Sequence, residues 1–266
     1  VYKRQVSSRF RNNSRDTHCS AYTMLDRILL NADLGEGFKY DTEIMPLIDI
    51  ANIACGAHAG DSVTMQTTLE LAKTHSVSVS YHIGYNDKEN FGRVSIEYNE
   101  REFFEMVERQ FQALFQLAKK IGVPIEYIKP HGALYHDLAQ NKVLAQLFLQ
   151  VCEKHQQQSN EGLTLIGSDS SALFHEANKY EFKQLNEAFA DRRYNKQGKL
   201  LARSDKNALI GSAHDAAKQA KLISEERRVI SDCGKSITID AQTLCIHGDT
   251  AQALEIARSV SRQLKL

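Results

Sequence analysis

The sequence predicts a β/α barrel, a single α/β domain whose mainly parallel sheet closes on itself. Three observations point there. Apolar strand-like runs alternate with helical patterns along nearly the whole chain, the signature of parallel strands joined by helical crossovers. No Pro- or Gly-rich linker and no shift in composition divides the 266 residues, a length that barrels reach as one unit. Five polar runs follow directly behind apolar stretches, which gathers them at the carboxyl ends of the strands, the face where barrels bind ligands. These runs are residues 31–37 (NADLGEG), 52–61 (NIACGAHAGD), 81–85 (YHIGY), 129–135 (KPHGALY) and 245–249 (CIHGD).

Residues 27–33 read as the first strand, apolar and ending in polar groups. A short helix over 44–50, opened by Pro46, feeds a second strand at 50–54. Val63, Met65, Leu69, Leu71 and Ala72 recur at helical spacing over 62–75, with Asp61 or Ser62 as N-cap. Residues 77–81 alternate apolar and polar side chains and read as a strand. The strongest helix covers 99–121, with Phe103, Phe104, Val107, Phe111, Leu114, Leu117 and Ala118 on one stripe, Asn99 as its cap and Gly122 as its stop. Strands are expected at 125–128, 163–166, 188–190 and 244–246, and an extended piece at 236–239. Helices are expected at 142–155, 170–179, 215–224 and 250–264. The barrel domain is placed at 24–266; residues 1–23, polar and basic with Lys3, Arg4, Arg9, Arg11 and Arg15, read as a disordered or non-native extension.

Composition narrows the function. Lys plus Arg equal Asp plus Glu at 33 each, so the formal net charge is zero, which argues against nucleic acid and against an anionic membrane surface as partners. No apolar run reaches the roughly 18 residues of a spanning helix, and the first residues lack the apolar core of a secretory signal. Five cysteines without a CxxC pair read as reduced thiols, which places the protein in the cytoplasm. There is neither a GxxxxGK[ST] loop nor an HExxH helix.

The polar runs carry the chemistry. Asp33 and Glu36 flank Gly35, where a carboxylate can act as general base, orient a histidine or bind a metal; an Asx-type turn is the plain alternative. Small residues on both sides of His58 are expected to leave its imidazole uncovered. Cys55 reads as a buried thiol rather than a nucleophile. His82 ends the third strand, and Arg93 behind it can clamp a carboxylate bidentately. Lys129 and His131, two apart at a strand end, share one face. The run 187–194 (EAFADRRY), with Glu187 at its start and Asp191 beside Arg192, offers a carboxylate and guanidinium pair that is either functional or a structural salt bridge. Asp249 reads as a cap for the last helix, leaving His247 as the reactive group. His and carboxylate groups suit zinc or a similar divalent ion. Asp33, His58 and His131 are the first candidates to hold one, and His82 and His247 follow.

Taken in order, these motifs resemble the LamB/YcsF family, over about residues 28–264. The resemblance rests on 31–37, on 51–56 with His58-Ala59-Gly60-Asp61, on Asn90-Phe91-Gly92-Arg93, on 129–135, on Phe189-Ala190-Asp191-Arg192 and on His247-Gly248-Asp249. It implies a seven-stranded β/α barrel of the glycoside hydrolase and deacetylase type. The implied activity is ATP-dependent opening of the 5-oxo-L-proline lactam to L-glutamate, together with 5-oxoprolinase subunits B and C, with ATP as cosubstrate. On that reading Asp33, His58, His82, His131, Asp191 and His247 are catalytic, and Asn52, Arg93, Lys129 and Arg192 bind substrate. Water activation falls to Asp33 with His58 or His131. The family usually has Phe where Ala57 stands and commonly Pro where Ile83 stands, differences that alter pocket shape and loop stiffness. Two other readings of the same residues are a stand-alone metal-dependent deacetylase or amidohydrolase and a non-catalytic component that presents the substrate.

Overall fold

The computed structural model describes residues 27–160 and 162–265, so the extension expected over residues 1–23 lies outside the described residues. Seven parallel strands close into a barrel in the order β1 (Leu29–Leu34), β2 (Ile50–Ala54), β3 (Ser78–Ile83), β4 (Tyr127–Pro130), β5 (Thr164–Gly167), β6 (Lys183–Phe189) and β9 (Thr243–His247). Closure runs through β9, which pairs β6 on one side and β1 on the other, with Asp33 level with His247. Two short strands, β7 (Arg228–Ile230) and β8 (Ser236–Thr238), form a separate antiparallel ribbon outside it.

Strand periodicity divides the residues into two sets. Leu30, Ala32 and Leu34 of β1, Val79, Tyr81 and Ile83 of β3, and Leu244 and Ile246 of β9 join the apolar core, the layer shared with the surrounding helices. The alternate positions Asn31, Asp33, Ser80, His82, Thr243 and Cys245 are just as buried and point into the lumen. That lumen is therefore lined with polar groups, and each must find its partner inside the barrel.

The helices form where capping and patterning say they should. Asp61 caps α2 (Ser62–His75), accepting from the amides of Val63 at 3.0 Å and Thr64 at 2.8 Å. A capping box between Asn99 and Glu102 starts α3 (Glu100–Ile121), and Gly122 ends it in the left-handed region at φ +77°. The other helices are α1 (Asp41–Ile44), α4 (Gly132–Gln140), α5 (Lys142–Ser159), α6 (Ala172–Ala177), α7 (Ala213–Glu226) and α8 (Ala253–Leu264). Among the described residues no helix is long and apolar enough to cross a membrane.

Four expectations need correction. The short helix before β2 is α1, which ends where the expected 44–50 segment begins, plus a 3-10 turn, Met45–Leu47, inside that segment. The last helix begins at Ala253, and Asp249 does not cap it but accepts from Arg93 and Arg203 instead. β6 starts five residues earlier than its apolar end suggests, because Leu185 is the lone apolar side chain over 183–186. Helix α4 is absent from the sequence expectation, since it opens on a glycine, a weak helix former. Gly132 takes φ +56°, and a Cβ there would sit 2.5 Å from the Gly92 carbonyl. That carbonyl accepts from the Ala133 amide at 2.9 Å, a tertiary contact that starts the helix where local propensity does not.

Candidate functional site

Asp33 is the point on which the lumen network converges. Neighbouring registers set Asp33 beside Asn52 of β2 and His247 of β9. From across the barrel Lys129 places Nζ 2.9 Å from Asp33 Oδ1 and 2.8 Å from Glu187 Oε1. The same ammonium donates to Asn31 Oδ1 at 3.2 Å and to Cys245 Sγ at 3.0 Å. Asn52 Nδ2 adds donations to Asp33 Oδ1 at 2.9 Å and to Asn31 Oδ1 at 2.7 Å.

The electrostatics follow from these contacts. Burial works to raise the Asp33 carboxyl, but the charges of His82 and Lys129 outweigh it and hold the group well below the usual range. Burial likewise works to neutralise Lys129, and the carboxylate of Asp33 reverses it, so the ammonium stays charged well above its ordinary value. Glu187, dominated by burial, is raised. Burial also pushes the Cys245 thiol well up despite the neighbouring ammonium, so it is not the thiolate a nucleophile requires. Cys55 is pushed up to about 12 by burial.

Beside this network stands an oriented histidine. His247 Nδ1 lies 2.9 Å from Asp191 Oδ2, which also accepts from the His247 amide at 2.8 Å. Since Nδ1 faces a carboxylate, the free lone pair of a neutral ring is on Nε2, 3.8 Å from Asp33 Oδ2. Burial alone would raise Asp191; His247 more than offsets it and lowers the group. Above these residues opens a cavity of about 530 Å³, lined among others by Asp33, His82, Lys129, His131, Arg192 and His247. Arg192 is buried, donates to the Leu201 carbonyl at 2.7 Å and leaves Nε unbonded. Arg93 and Arg203 also reach the cavity, both engaged on Asp249.

A second constellation lies against the cavity wall. Glu36 Oε1 sits 3.5 Å from His58 Nε2, 3.5 Å from His131 Nδ1 and 3.7 Å from His82 Nε2. His58 stacks on His131 with ring centroids 3.9 Å apart, and Phe91 stands edge-on to both. Burial and then the charge of Asp33 raise Glu36 well above its normal value. Burial lowers His58 and His131 well below theirs, with the neighbouring histidines adding to the shift.

The structure thus gathers Asp33, His82, Lys129, His131, Arg192 and His247 at one cavity, with Arg93 at its edge and Asp191 behind His247. Other expectations fail in instructive ways. His58 is not uncovered: Gly84 and Gly92 close on it, and a Cβ at those positions would fall 2.6 Å and 2.8 Å from its ring atoms and Cβ. Asn52 is fully buried under Asp33, so it positions that carboxylate and does not reach substrate in the cavity. Asp191 and Arg192 do not pair, because adjacent residues diverge and Asp191 turns to His247. Neither Ala57 nor Ile83 lines the cavity; Ile83 faces the apolar core. As for a cation, the acidic donor beside His58 and His131 is Glu36, while Asp33 groups with Cys245 and His247. The sequence motifs single out neither Asn31 nor Cys245, and Glu187 only as part of the 187–194 run. They lie two residues before Asp33, Phe189 and His247, which line the cavity, and that period-2 signal could have found them.

The LamB/YcsF family profile matches residues 28–266. The 5-oxoprolinase A subunit of Tolumonas auensis is 39% identical over 240 residues, spanning 88% of this chain and 94% of that protein. The 5-oxoprolinase A subunit of Shouchella clausii is 38% identical over 246 residues, 91% of this chain and 96% of its own. Among solved structures, the lactam utilization protein from Thermus thermophilus superposes with a TM-score of 0.81 at 33% identity, over 90% of this chain and 96% of that one.

Proposed function

The chain belongs to the LamB/YcsF family, and from that premise we propose that it is the A subunit of a 5-oxoprolinase, hydrolysing the lactam of 5-oxo-L-proline to L-glutamate with ATP as cosubstrate and with B and C subunits as partners. The observation that carries the reading is the Asp33 floor of the cavity, where a charged ammonium, a buried carboxylate and a carboxylate-oriented imidazole meet. An unstrained lactam is a poor electrophile. Phosphorylation of its carbonyl oxygen by ATP makes that oxygen a leaving phosphate and exposes the ring carbon to water.

His247 Nε2, held by Asp191 and facing Asp33, takes the proton from that water, the arrangement by which a carboxylate fixes the tautomer of a general base. Asp33 accepts the second hydrogen of the water and orients it. Lys129 offsets negative charge that develops on the tetrahedral species. Arg192, buried at the cavity wall with Nε unbonded, holds the substrate carboxylate, and Arg93 stands at the rim. The ring nitrogen takes that proton back from His247 and leaves as the amine, which gives the γ-acyl phosphate of glutamate, and a second water then releases phosphate and L-glutamate. Cys55, Cys152, Cys233 and Cys245 are free thiols, which supports a reducing compartment such as the cytoplasm.

The test is glutamate formation from 5-oxoproline, with and without ATP, for the chain alone and combined with its B and C subunits. Product that requires ATP and all the subunits, and that falls by about 10²–10⁴-fold in Asp33→Asn and His247→Asn, is the expected result. No product in any combination overturns the assignment.

A further inference from the structure

The Glu36 constellation has a feature that neither hydrolysis nor folding explains: its donor atoms face one another without enough protons. His82 Nδ1 lies 3.1 Å from the Lys129 carbonyl and His131 Nε2 lies 3.0 Å from the Phe91 carbonyl. Both carbonyls only accept, so these nitrogens carry the ring protons. In neutral rings the opposite nitrogens, His82 Nε2 and His131 Nδ1, then present bare lone pairs to each other at 2.9 Å. Glu36 Oε1 and both ring nitrogens of His58 are buried without any hydrogen-bond partner. A proton shared between His82 and His131 would join that pair and still leave Glu36 and His58 orphaned.

One cation satisfies all four. A tetrahedron with metal–nitrogen and metal–oxygen bonds of about 2.0–2.1 Å has edges of about 3.4 Å. The separations here, 2.9 Å for His82–His131 and 3.5, 3.5 and 3.7 Å from Glu36 to His58, His131 and His82, bracket that edge. The backbone carbonyls behind His82 and His131 are the outer partners that fix the tautomer of ligating imidazoles. Gly84 and Gly92 leave just the space that His58 needs to join them.

We propose that Glu36, His58, His82 and His131 bind one divalent transition-metal ion of the zinc type, in the cavity wall beside Asp33. The site stands on its own geometry and does not depend on the lactam reading. The neighbouring trio of Asp33, Cys245 and His247 does not compete for the ion. There the Lys129 ammonium already lies 2.9 Å from Asp33 and 3.0 Å from Cys245 and supplies the positive charge.

The purified full-length chain, stripped with a chelator, is titrated with zinc against a chromophoric competitor, and with cobalt(II) for its visible spectrum. One equivalent of zinc per chain is expected, weakened by more than about 100-fold in both Glu36→Gln and His58→Asn and unchanged in Cys245→Ser. Cobalt is expected to give tetrahedral d–d bands without a thiolate charge-transfer band. Thermal unfolding of the metal-free proteins separates a lost ligand from a lost fold: zinc raises the Tm of the wild type and leaves that of both ligand variants where it was. Less than a tenth of an equivalent bound, affinity unchanged in the two ligand variants, or a thiolate band each overturns the site.

Discussion

Asp33 and Glu36, three residues apart, are buried to the same degree by side chain, at 5% and 4% exposure, yet the barrel treats them in opposite ways. Asp33 has His82 Nε2 3.3 Å away, receives the Lys129 ammonium and the Asn52 amide, and is held ionised. Glu36 has imidazoles as its close neighbours, and burial with the charges of Asp33 and Asp249 drives it toward its neutral form despite Arg93. The difference teaches that burial alone does not fix a carboxylate's charge; direct contact with a cation also decides it. The lumen sets the Lys129 ammonium directly against the first carboxylate. To the second it offers a nest of lone pairs.

Removing that cation is the largest way to break the contrast. Lys129→Met should cost about 3–5 kcal/mol in chemical denaturation, because it removes the buried ammonium that Asp33 and Glu187 share. Adding Asp33→Asn to it should recover part of that loss, and strictly additive effects in the double-mutant cycle would show that the pair is not coupled. The Glu36 side is tested through its glycines. Gly92→Ala forces a Cβ to 2.8 Å from His58 at a φ of +64°, and should destabilise by about 1–3 kcal/mol. It should also weaken zinc binding while sparing the Asp33–Lys129 contact.

A third prediction concerns acid. Asp191 is lowered in the folded protein from an ordinary value of 3.8. Its stabilising contribution is therefore complete above that value and lost as pH falls through the folded one. Asp191→Asn should flatten the acid limb of the stability profile, and an unchanged limb would remove the His247 pairing as its cause. The smallest effect is expected for Glu36→Gln in chelated protein. An amide there replaces a carboxyl that burial already pushes toward its neutral form, so stability should change by no more than about 1 kcal/mol.

Much of this was legible in the chain. The strand-end positions of Asp33, His82, Lys129, His131 and His247 follow from polar residues closing apolar runs, and barrel topology then brings them together. Asn99, Asp61 and Gly122 announce their caps because capping is local chemistry. The pairings were not legible. Asp191 chose His247, 56 residues away, over adjacent Arg192, and Asp249 chose two arginines over the helix it precedes.

Local periodicity and capping depend on neighbours within a turn or a strand, so the sequence by itself determined the barrel, its strand ends and the residue types gathered there. Which carboxylate holds the lysine, which faces the histidines, that His58 is covered and that α4 starts on a glycine depend on atoms brought together by closure between β9 and β1. Those contacts span the chain, and only the closed barrel could decide them.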